Sequence, residues 1–311
     1  MTDFDIAVIG AGIVGTSCAL WAQMRGHRVA LIDPAPPGSG TSSGNACTLA
    51  TYACLPVNDP GVIAALPRLL FGRDSPLSIS WRHALREPRW MLAFLGNCRP
   101  ARSRAIAGHL ADLLGHADAG LNPLIAEAGA EDLVVARGQL TVWSTAAGAR
   151  QAEGQRALQR ALGVPVETLA PAEARDLEPA LALPVAAAAF YPAARHIRDP
   201  EALVQRLHAR FGALGGVTLA RRVSATRAAG DHVRITAEGT TLDAGRAVIA
   251  AGAFARRIAG AGTADLPLGT ERGYHLMYPR EDSRISRPVG WAEGGFYAVP
   301  MARGLRMAGT V

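Results

Sequence analysis

The sequence predicts an α/β protein whose first part is built on a buried sheet, and three features of residues 4–33 support this prediction. Residues 4–9 form an apolar run rich in β-branched side chains, which is typical of a buried strand. A helical pattern follows over 13–25, and a second strand pattern covers 28–32. A strand, a tight turn, a helix and a second strand are the opening of a doubly wound fold.

Three glycines lie where the first strand meets the first helix, with the spacing Gly10-x-Gly12-x-x-Gly15. Gly10 permits the sharp turn, Gly12 lets the backbone approach a phosphate, and Gly15 lets the helix and the strand pack closely. The helix N-terminus presents N–H groups and the positive end of its dipole to negative charge. This pattern indicates a Rossmann-like unit that binds the pyrophosphate of a dinucleotide.

Asp33 ends the second strand, 23 residues after Gly10. An acidic residue at this position holds the ribose hydroxyls of an adenosine. The alternative is a glycine turn in some other α/β protein, because folds of this class carry many functions.

The composition is that of a globular protein large enough for two domains, with 311 residues, 49% of them hydrophobic and 19% charged. All 32 Lys and Arg positions are arginine, and they are scattered along the chain. We attribute this arginine content to a bias of the coding sequence and expect no nucleic-acid partner. The net charge of +6 favours anionic substrates or an anionic membrane surface. The four cysteines lack metal-ligand spacing, so we expect no metal site. The sequence shows neither a signal peptide nor a membrane-spanning segment, so we expect a cytoplasmic location.

The rest of the chain alternates between helical and strand patterns and contains no repeat. We predict helices within 62–133, 146–162 and 200–214, strands at 133–136, 139–143 and 246–252, a β-meander over 221–242, and antiparallel strands in the last fifty residues. Turns are expected at 229–231 and 238–239. The pattern favours two domains connected by several chain crossings: residues 1–80 with 195–262, and residues 81–194 with 263–311.

Several motifs occur in one order along the whole chain. They are the glycine motif with Asp33, Gly40-Thr-Ser-Ser-Gly-Asn-Ala46, Tyr191-Pro-x-x-x-His-Ile-x-Asp-Pro200, Arg-Arg-Val223-Ser-Ala, Val248-Ile-Ala-Ala-Gly252 and Glu271-Arg-Gly-Tyr-His275. Together they resemble the D-amino-acid oxidase superfamily of flavoproteins, and most closely its D-amino acid dehydrogenase small-subunit group. Most relatives carry Glu at the position of Asp33, so the aspartate of this chain is a mild departure from the family pattern.

The resemblance implies FAD as cofactor, in a glutathione-reductase-type Rossmann-like domain interleaved with an α+β substrate domain that has an antiparallel sheet. It implies oxidation of the Cα–N bond of D-amino acids by hydride transfer to the flavin, which gives a 2-oxo acid and ammonia. The residues implied in FAD binding are Gly10, Gly12, Gly15, Asp33, Ser42, Ser43, Asn45, Ala46, Val223, Ala251 and Gly252. For Ser43 and Asn45 the alternative is a role in forming turns, and for Cys47 a buried packing residue is favoured over a flavin-linked or redox thiol.

Three residues are the candidates for substrate binding. Among the residues present, Arg272 is the best candidate to hold the substrate carboxylate, because the planar guanidinium pairs with a carboxylate through two hydrogen bonds; the alternative is that it pairs with Glu271 or caps a strand edge. Tyr274 and His275 lie on one predicted strand and point to opposite faces, so at most one of them faces the flavin directly. The alternative for both is packing or backbone hydrogen bonding.

The electron acceptor is left open by the sequence. A quinone or another carrier would make the protein a dehydrogenase, whereas oxygen would make it an amine oxidase of the glycine or sarcosine type. The family continues beyond the position where this chain stops, in a part that carries a second flavin contact and a carboxylate-binding arginine. We therefore expect a truncated coding sequence, and a remnant without catalytic activity is a further hypothesis.

Residues 81–95 form a basic segment that contains two tryptophans and could lie in a membrane interface. Such contact would place the protein on the cytoplasmic face of the inner membrane. The alternative is a core-facing stripe, and Pro88 interrupts the helical pattern.

Overall fold

Helices and strands alternate along the chain in the computed structural model, which describes residues 2–61, 63, 88–268, 270, 273–281 and 284–310. The α-helices of this described part are α1 (Ile13–Met24), α2 (Pro88–Asn97), α3 (Pro100–Gly115), α4 (Ala117–Glu127), α5 (Ala146–Gln151), α6 (Glu153–Ala161), α7 (Pro171–Leu177) and α8 (Pro200–Ala213). The strands of the described part are β1 (Phe4–Ile9), β2 (Val29–Ile32), β3 (Thr48–Leu49), β4 (Val134–Val135), β5 (Gln139–Trp143), β6 (Glu167–Leu169), β7 (Ala187–Tyr191), β8 (Arg195–Ile197), β9 (Val217–Leu219), β10 (Val223–Ala229), β11 (His232–Ala237), β12 (Thr240–Ile249), β13 (Tyr274–Pro279), β14 (Val289–Trp291), β15 (Phe296–Met301) and β16 (Gly304–Thr310).

The first of two compact units contains Met1–Cys47, Ala119–Val134 and Ile197–Arg272. Its six-stranded sheet has the order β10-β11-β12-β1-β2-β9. The strands β12, β1, β2 and β9 are parallel, and β10 and β11 extend the sheet as an antiparallel meander. Helix α1 packs against α8. The predicted α/β fold class is confirmed by this architecture.

Strand β12 corrects one prediction, because the end of the predicted meander and the strand predicted at 246–252 are a single strand, Thr240–Ile249. Its first half pairs antiparallel with β11, and its second half pairs parallel with β1. One long strand therefore joins the meander to the parallel sheet. Gly245 lies between the two predicted segments, and a Cβ there would lie 3.0 Å from the carbonyl oxygen of Asp5, so this glycine allows close approach of β1 within a continuous strand.

The core of the first unit is made of small and branched apolar side chains on both kinds of strand. Ala7 and Ile9 of β1 pack with Ile235 of β11 and Leu242 of β12. Phe211 of α8 is fully buried and is the largest such side chain in the described residues.

The second unit contains Thr48–Asp118, Val135–His196 and Gly273–Val311. Its seven-stranded sheet has the order β13-β16-β15-β14-β5-β7-β6, and every pair is antiparallel except β14 with β5. The neighbours Val142 and Trp143 on β5 belong to two different core clusters, because successive side chains point to opposite faces. The mainly antiparallel sheet matches the expectation for the last fifty residues.

Two helical predictions differ from the structure. The helix expected at 146–162 is divided at Ala152 into α5 and α6. Within the helical stretch expected at 62–133, residues 88–127 form α2, α3 and α4, whereas 62 and 64–87 lie outside the described residues. None of the described helices combines the length and the apolar character that crossing a membrane requires.

The compact units differ from the predicted domain boundaries in three main places. Residues 48–61 cluster with the second unit, whereas 119–134 and 263–268 cluster with the first. Two contacts explain the position of 119–134. The indole N–H of Trp21 donates to the carbonyl of Gly120 at 2.9 Å, and Arg206 pairs with Asp132. The assignment of FAD binding to one domain and of substrate binding to the other stays a prediction.

Replacing Phe211 by alanine is expected to lower the free energy of unfolding by about 3–5 kcal/mol, because the fully buried ring would leave a cavity in the first unit. Chemical denaturation followed by circular dichroism measures the change. Leu113→Ala is the control, since Leu113 is 69% exposed and its truncation is expected to change stability by less than about 0.5 kcal/mol. Equal effects of the two substitutions would contradict the assigned core.

Candidate functional site

The glycine turn between β1 and α1 is the most constrained backbone of the first unit. Gly10 has φ +109°, and a Cβ there would lie 2.4 Å from the carbonyl oxygen of Ala250. A Cβ on Gly15 would lie 1.8 Å from the carbonyl oxygen of Gly10. Any larger residue at either position would therefore force backbones apart, because real Cβ atoms do not approach so closely. The roles predicted for these two glycines, a sharp turn and close packing, are those that the structure shows.

The N-terminus of α1 is open to an anion. Gly12 is the N-cap residue and supplies no side chain, and the first turn carries no acidic residue. The N–H of Ile13 donates to the hydroxyl of Ser42 at 2.9 Å. The first-turn N–H groups have no acceptor within the helix, and the helix dipole adds positive potential. The geometry suits a phosphate, with the Ser42 hydroxyl next to it.

Asp33 is held beside the glycine turn by two backbone N–H groups. Its Oδ2 accepts from Ala11 at 2.8 Å, and its Oδ1 accepts from Ala35 at 2.9 Å. Each carboxylate oxygen has a further lone pair, and the side chain is half-exposed. The carboxylate is thus oriented while it keeps acceptor capacity for hydroxyl groups; its contact with ribose stays a prediction.

The polar side chains of the loop over residues 40–46 take part in local turns. Ser43 donates to the carbonyl of Gly40 at 3.0 Å, and the Asn45 amide donates to the carbonyl of Ser42 at 2.9 Å while its oxygen accepts from the N–H of Cys47 at 2.7 Å. Asn45 and Ala46 are exposed. The turn-forming role of Ser43 and Asn45 is therefore visible, and their contact with the flavin stays a prediction.

Cys47 ends this loop in an unusual conformation. Its φ is +64°, in the left-handed region that non-glycine residues seldom occupy. The thiol is buried and lies 3.2 Å from the carbonyl oxygen of Asn45. These contacts agree with a small packing side chain.

The remaining residues predicted to bind the cofactor lie at strand ends of the same unit. Val223 begins β10 and packs against the core, half-buried. Ala251 and Gly252 follow β12, and Gly252 is exposed with φ +52°. The N–H of Ala250 donates to the carbonyl of Ile9 at 2.8 Å, which ties the end of β12 to the glycine turn. Ala251 and Gly252 are thereby placed next to the turn.

The residues predicted to bind substrate are less well defined. Arg272 lies outside the described residues. Tyr274 and His275 lie on β13, the edge strand of the sheet in the second unit, and both are exposed, Tyr274 by 62%. Substrate contact by these three residues stays a prediction.

A polar cluster in the second unit was not predicted from the sequence. The Tyr52 hydroxyl donates to the side-chain oxygen of Gln139 and hydrogen-bonds with Tyr297, and the Tyr52 ring stacks on Tyr191 with centroids 4.3 Å apart. Tyr191 donates to Gln159 at 3.1 Å, and Gln159 donates to the Tyr52 carbonyl at 3.1 Å. Burial raises the pKa of both Tyr52 and Tyr191, so both phenols stay protonated at neutral pH. Because these residues are spread from 52 to 297, no local spacing could have revealed the cluster.

The glycine turn, the helix N-terminus with Ser42 beside it, and the oriented Asp33 together fit an adenine dinucleotide. Gly10 and Gly15 let the turn, helix α1 and the end of β12 approach one another closely, and the N–H donors beside the turn suit a pyrophosphate. These features are those of a dinucleotide-binding unit within an α/β protein.

Comparison with known protein families identifies the family to which this chain belongs. Residues 5–311 match the DAO family of FAD dependent oxidoreductases. The chain therefore belongs to the DAO family, and its cofactor is FAD.

Two curated relatives share about a third of their residues with this chain. A protein named D-amino-acid oxidase from Bradyrhizobium diazoefficiens is 31% identical over 310 residues, which cover 98% of this chain and 73% of the relative. A protein named D-amino acid dehydrogenase 2 from Ralstonia nicotianae is 33% identical, with 94% of this chain and 68% of the relative covered.

Solved structures with the same fold are more distant in sequence. Glycine oxidase from Geobacillus kaustophilus has a TM-score of 0.68 at 22% identity and covers all of this chain, with 72% of its own chain matched. L-proline dehydrogenase from P. horikoshii has a TM-score of 0.64 at 18% identity, covering 98% of this chain and 69% of its own. At these identities the similarity shows the fold alone.

Substituting Gly15 by alanine is expected to weaken FAD binding by about 10- to 100-fold, because the added Cβ must push α1 away from the carbonyl of Gly10. Titration of the apoprotein with FAD, followed by flavin fluorescence, gives the dissociation constant. Gly212→Ala in α8 is the matched control, since a Cβ there contacts nothing within 4 Å and alanine favours a helix. Unchanged FAD affinity in the Gly15 variant would contradict the assigned cradle.

Tyr52 is expected to make stability fall at alkaline pH. Its pKa is raised in the folded protein, so above the ordinary tyrosine value of about 10 the unfolded chain releases a proton that the folded chain retains. The free energy of unfolding should then decrease as the pH rises above about 10, and Tyr52→Phe should reduce that slope. Urea denaturation at a series of pH values measures it, with Tyr278→Phe, at a 47% exposed ring, as the control. An identical slope in the Tyr52 variant and the parent would refute the assignment.

Proposed function

We propose that this protein oxidises the Cα–N bond of D-amino acids with FAD and passes the electrons to a carrier other than oxygen. The products would be a 2-oxo acid and ammonia, formed when the imine is hydrolysed. The observation that carries the proposal is the glycine turn of the first unit in a DAO-family chain that is 31–33% identical to proteins named for D-amino acids.

Bound FAD would supply the two-electron oxidation chemistry, and the residues of the chain would hold it. Gly10 and Gly15 keep side chains out of the turn, and the α1 N-terminus with the Ser42 hydroxyl would bind the pyrophosphate. Asp33 would accept hydrogen bonds from the ribose hydroxyls with the lone pairs that the Ala11 and Ala35 amides leave available. Orientation is the protein's main contribution to this chemistry.

The substrate carboxylate requires a cation, and we assign this role to Arg272. A guanidinium offers two parallel N–H groups to a carboxylate, which fixes the amino acid in one orientation. Tyr274 or His275 would contact the substrate from the next positions of the chain.

Oxygen as the electron acceptor is the second candidate. It is favoured by the relative named D-amino-acid oxidase. The reaction at the Cα–N bond is the same in both cases, and only the oxidation of the reduced cofactor differs.

Anaerobic addition of D-alanine to the FAD-loaded chain is expected to bleach the visible flavin absorption, whereas L-alanine should leave it unchanged. Subsequent admission of an artificial acceptor should restore the spectrum faster than admission of air, with little peroxide formed. Rapid reoxidation by air with stoichiometric peroxide would favour the oxidase. A flavin spectrum that no D-amino acid bleaches would overturn the proposed substrate class.

Replacing Arg272 by methionine is expected to raise the KM for D-alanine by about 10- to 100-fold, because the charge-assisted pair with the carboxylate is lost. Steady-state kinetics and an FAD titration separate substrate binding from cofactor binding. Arg284→Met is the control, since Arg284 is exposed and pairs with Glu281. Equal KM values for the two variants would show that another residue holds the carboxylate.

A further inference from the structure

We propose that a cavity in the second unit binds a small organic ammonium ion that carries an aromatic ring and no carboxylate. The cavity is lined by the end of α3, the loop after α6 and the turn between β7 and β8, and its volume is about 220 Å³. It is called here the aromatic cavity. The inference goes beyond the proposed function and does not depend on which amino acid is oxidised.

The walls of the aromatic cavity are mainly apolar and belong to one hydrophobic cluster of the second unit. The lining side chains that pack in this cluster include Tyr52, Leu114, Leu162, Val164, Tyr191 and Ala194. An apolar cavity of about 150 Å³ accommodates benzene. A volume of about 220 Å³ therefore has room for one aromatic ring with a short arm.

Two tyrosine rings form a part of the lining that is ordered before a ligand arrives. Tyr52 and Tyr191 stack with ring centroids 4.3 Å apart. Hydrogen bonds hold both hydroxyls, because Tyr52 donates to Gln139 and Tyr191 donates to Gln159. Aromatic rings attract another ring through their edges and faces, and their π-systems attract a cation. Since the rings are already fixed, little conformational freedom is lost when an aromatic cation binds.

The charge of the lining comes from one carboxylate. Among the described residues that line the aromatic cavity, Asp118 is the only acidic or basic one. Its Oδ1 accepts a hydrogen bond from Arg195, which does not itself line the cavity, and this bond orients the carboxylate. Within the described part of the chain, no donor to Oδ2 of Asp118 is found. An ammonium group can therefore donate to Oδ2 while its ring lies against the apolar walls.

The same lining discriminates against a carboxylate in the ligand. A carboxylate in the cavity needs a cation or several N–H donors, whereas the described lining residues include no lysine, arginine or histidine. Asp118 would also repel it, and such repulsion is a source of specificity. An amino acid carries both charges, so its carboxylate would lack a partner. The expected ligand is therefore an amine rather than an amino acid or a 2-oxo acid.

Isothermal titration calorimetry of the FAD-loaded 311-residue chain tests the proposal with probes of similar shape. The probes are phenethylamine, 2-phenylethanol, 3-phenylpropionate and L-phenylalanine. Phenethylamine is expected to bind with a dissociation constant on the order of 0.1–1 mM, which is ordinary for a ligand of so few atoms. The alcohol lacks the charge and should bind about two- to fivefold more weakly, and the two carboxylates should bind more weakly than the alcohol.

One pair of variants tests the carboxylate. Asp118→Asn should weaken the binding of phenethylamine by about two- to fivefold and leave that of 2-phenylethanol unchanged, because only the charge interaction is lost. Asp112→Asn is the matched control. It makes the same change of charge at an exposed residue of α3 that does not line the cavity, so phenethylamine should bind it as it binds the parent.

A second pair of variants tests the cavity itself. Gly115 lies in the lining, and a Cβ there would meet no atom within 4 Å. Gly115→Leu therefore adds volume at the cavity without a backbone clash, and it should weaken the binding of both the amine and the alcohol by about tenfold or more. Gly108→Leu is the control, since a Cβ on Gly108 also meets no atom within 4 Å and this residue of the same helix lies outside the lining.

Circular dichroism verifies that each variant is folded. The proposal is overturned if phenethylamine does not bind the parent, if 3-phenylpropionate binds as tightly as phenethylamine, or if each variant has the same effect as its control. Anaerobic bleaching of the flavin by phenethylamine would also overturn it, because the amine would then react at the cofactor. Flavin reduction by D-alanine is measured in the same samples, so failure of the amine site and failure of the proposed function are distinguished.

Discussion

Close approach of three backbone segments is the constraint on which the first unit depends. The carbonyl of Gly10 occupies the space where a Cβ of Gly15 would lie, and the carbonyl of Ala250 occupies the space of a Cβ on Gly10. These two contacts set the distance of α1 from β1 and of β1 from the end of β12. The open N-terminus of α1 and the turn beside it exist because no side chain intervenes. The candidate dinucleotide site is thus formed mainly by backbone packing, with the polar side chains of Asp33 and Ser42 beside it.

The side chains that complete the cradle come from distant parts of the chain and are held by backbone groups. Asp33 accepts hydrogen bonds from two amides, and the Ser42 hydroxyl accepts one from Ile13, 29 residues earlier in the sequence. Such hydrogen bonds fix the acceptor atoms before a ligand arrives, so less ordering remains for binding. The cradle is therefore preorganised within the first unit.

The second unit combines a packed sheet with two very different polar features. On one side a buried cluster of tyrosine and glutamine side chains is internally hydrogen-bonded, with its phenols protonated. On the surface, the arginines of 88–104 stand without carboxylate partners among the described residues. This local group of arginines is not evident from the composition of the whole chain, in which arginine is the only strongly basic residue.

The sequence by itself determined the elements whose signals are local. The spacing of Gly10, Gly12 and Gly15 after an apolar strand predicted the tight strand–turn–helix packing, because backbone sterics permit few other residues there. The sequence did not determine that β12 is continuous through Gly245, that Ala119–Val134 joins the first unit, or that Tyr52 meets Gln139 and Tyr297. Only the tertiary structure decided these features, because each depends on contacts between residues far apart in the chain, and such contacts leave no periodic pattern in the sequence.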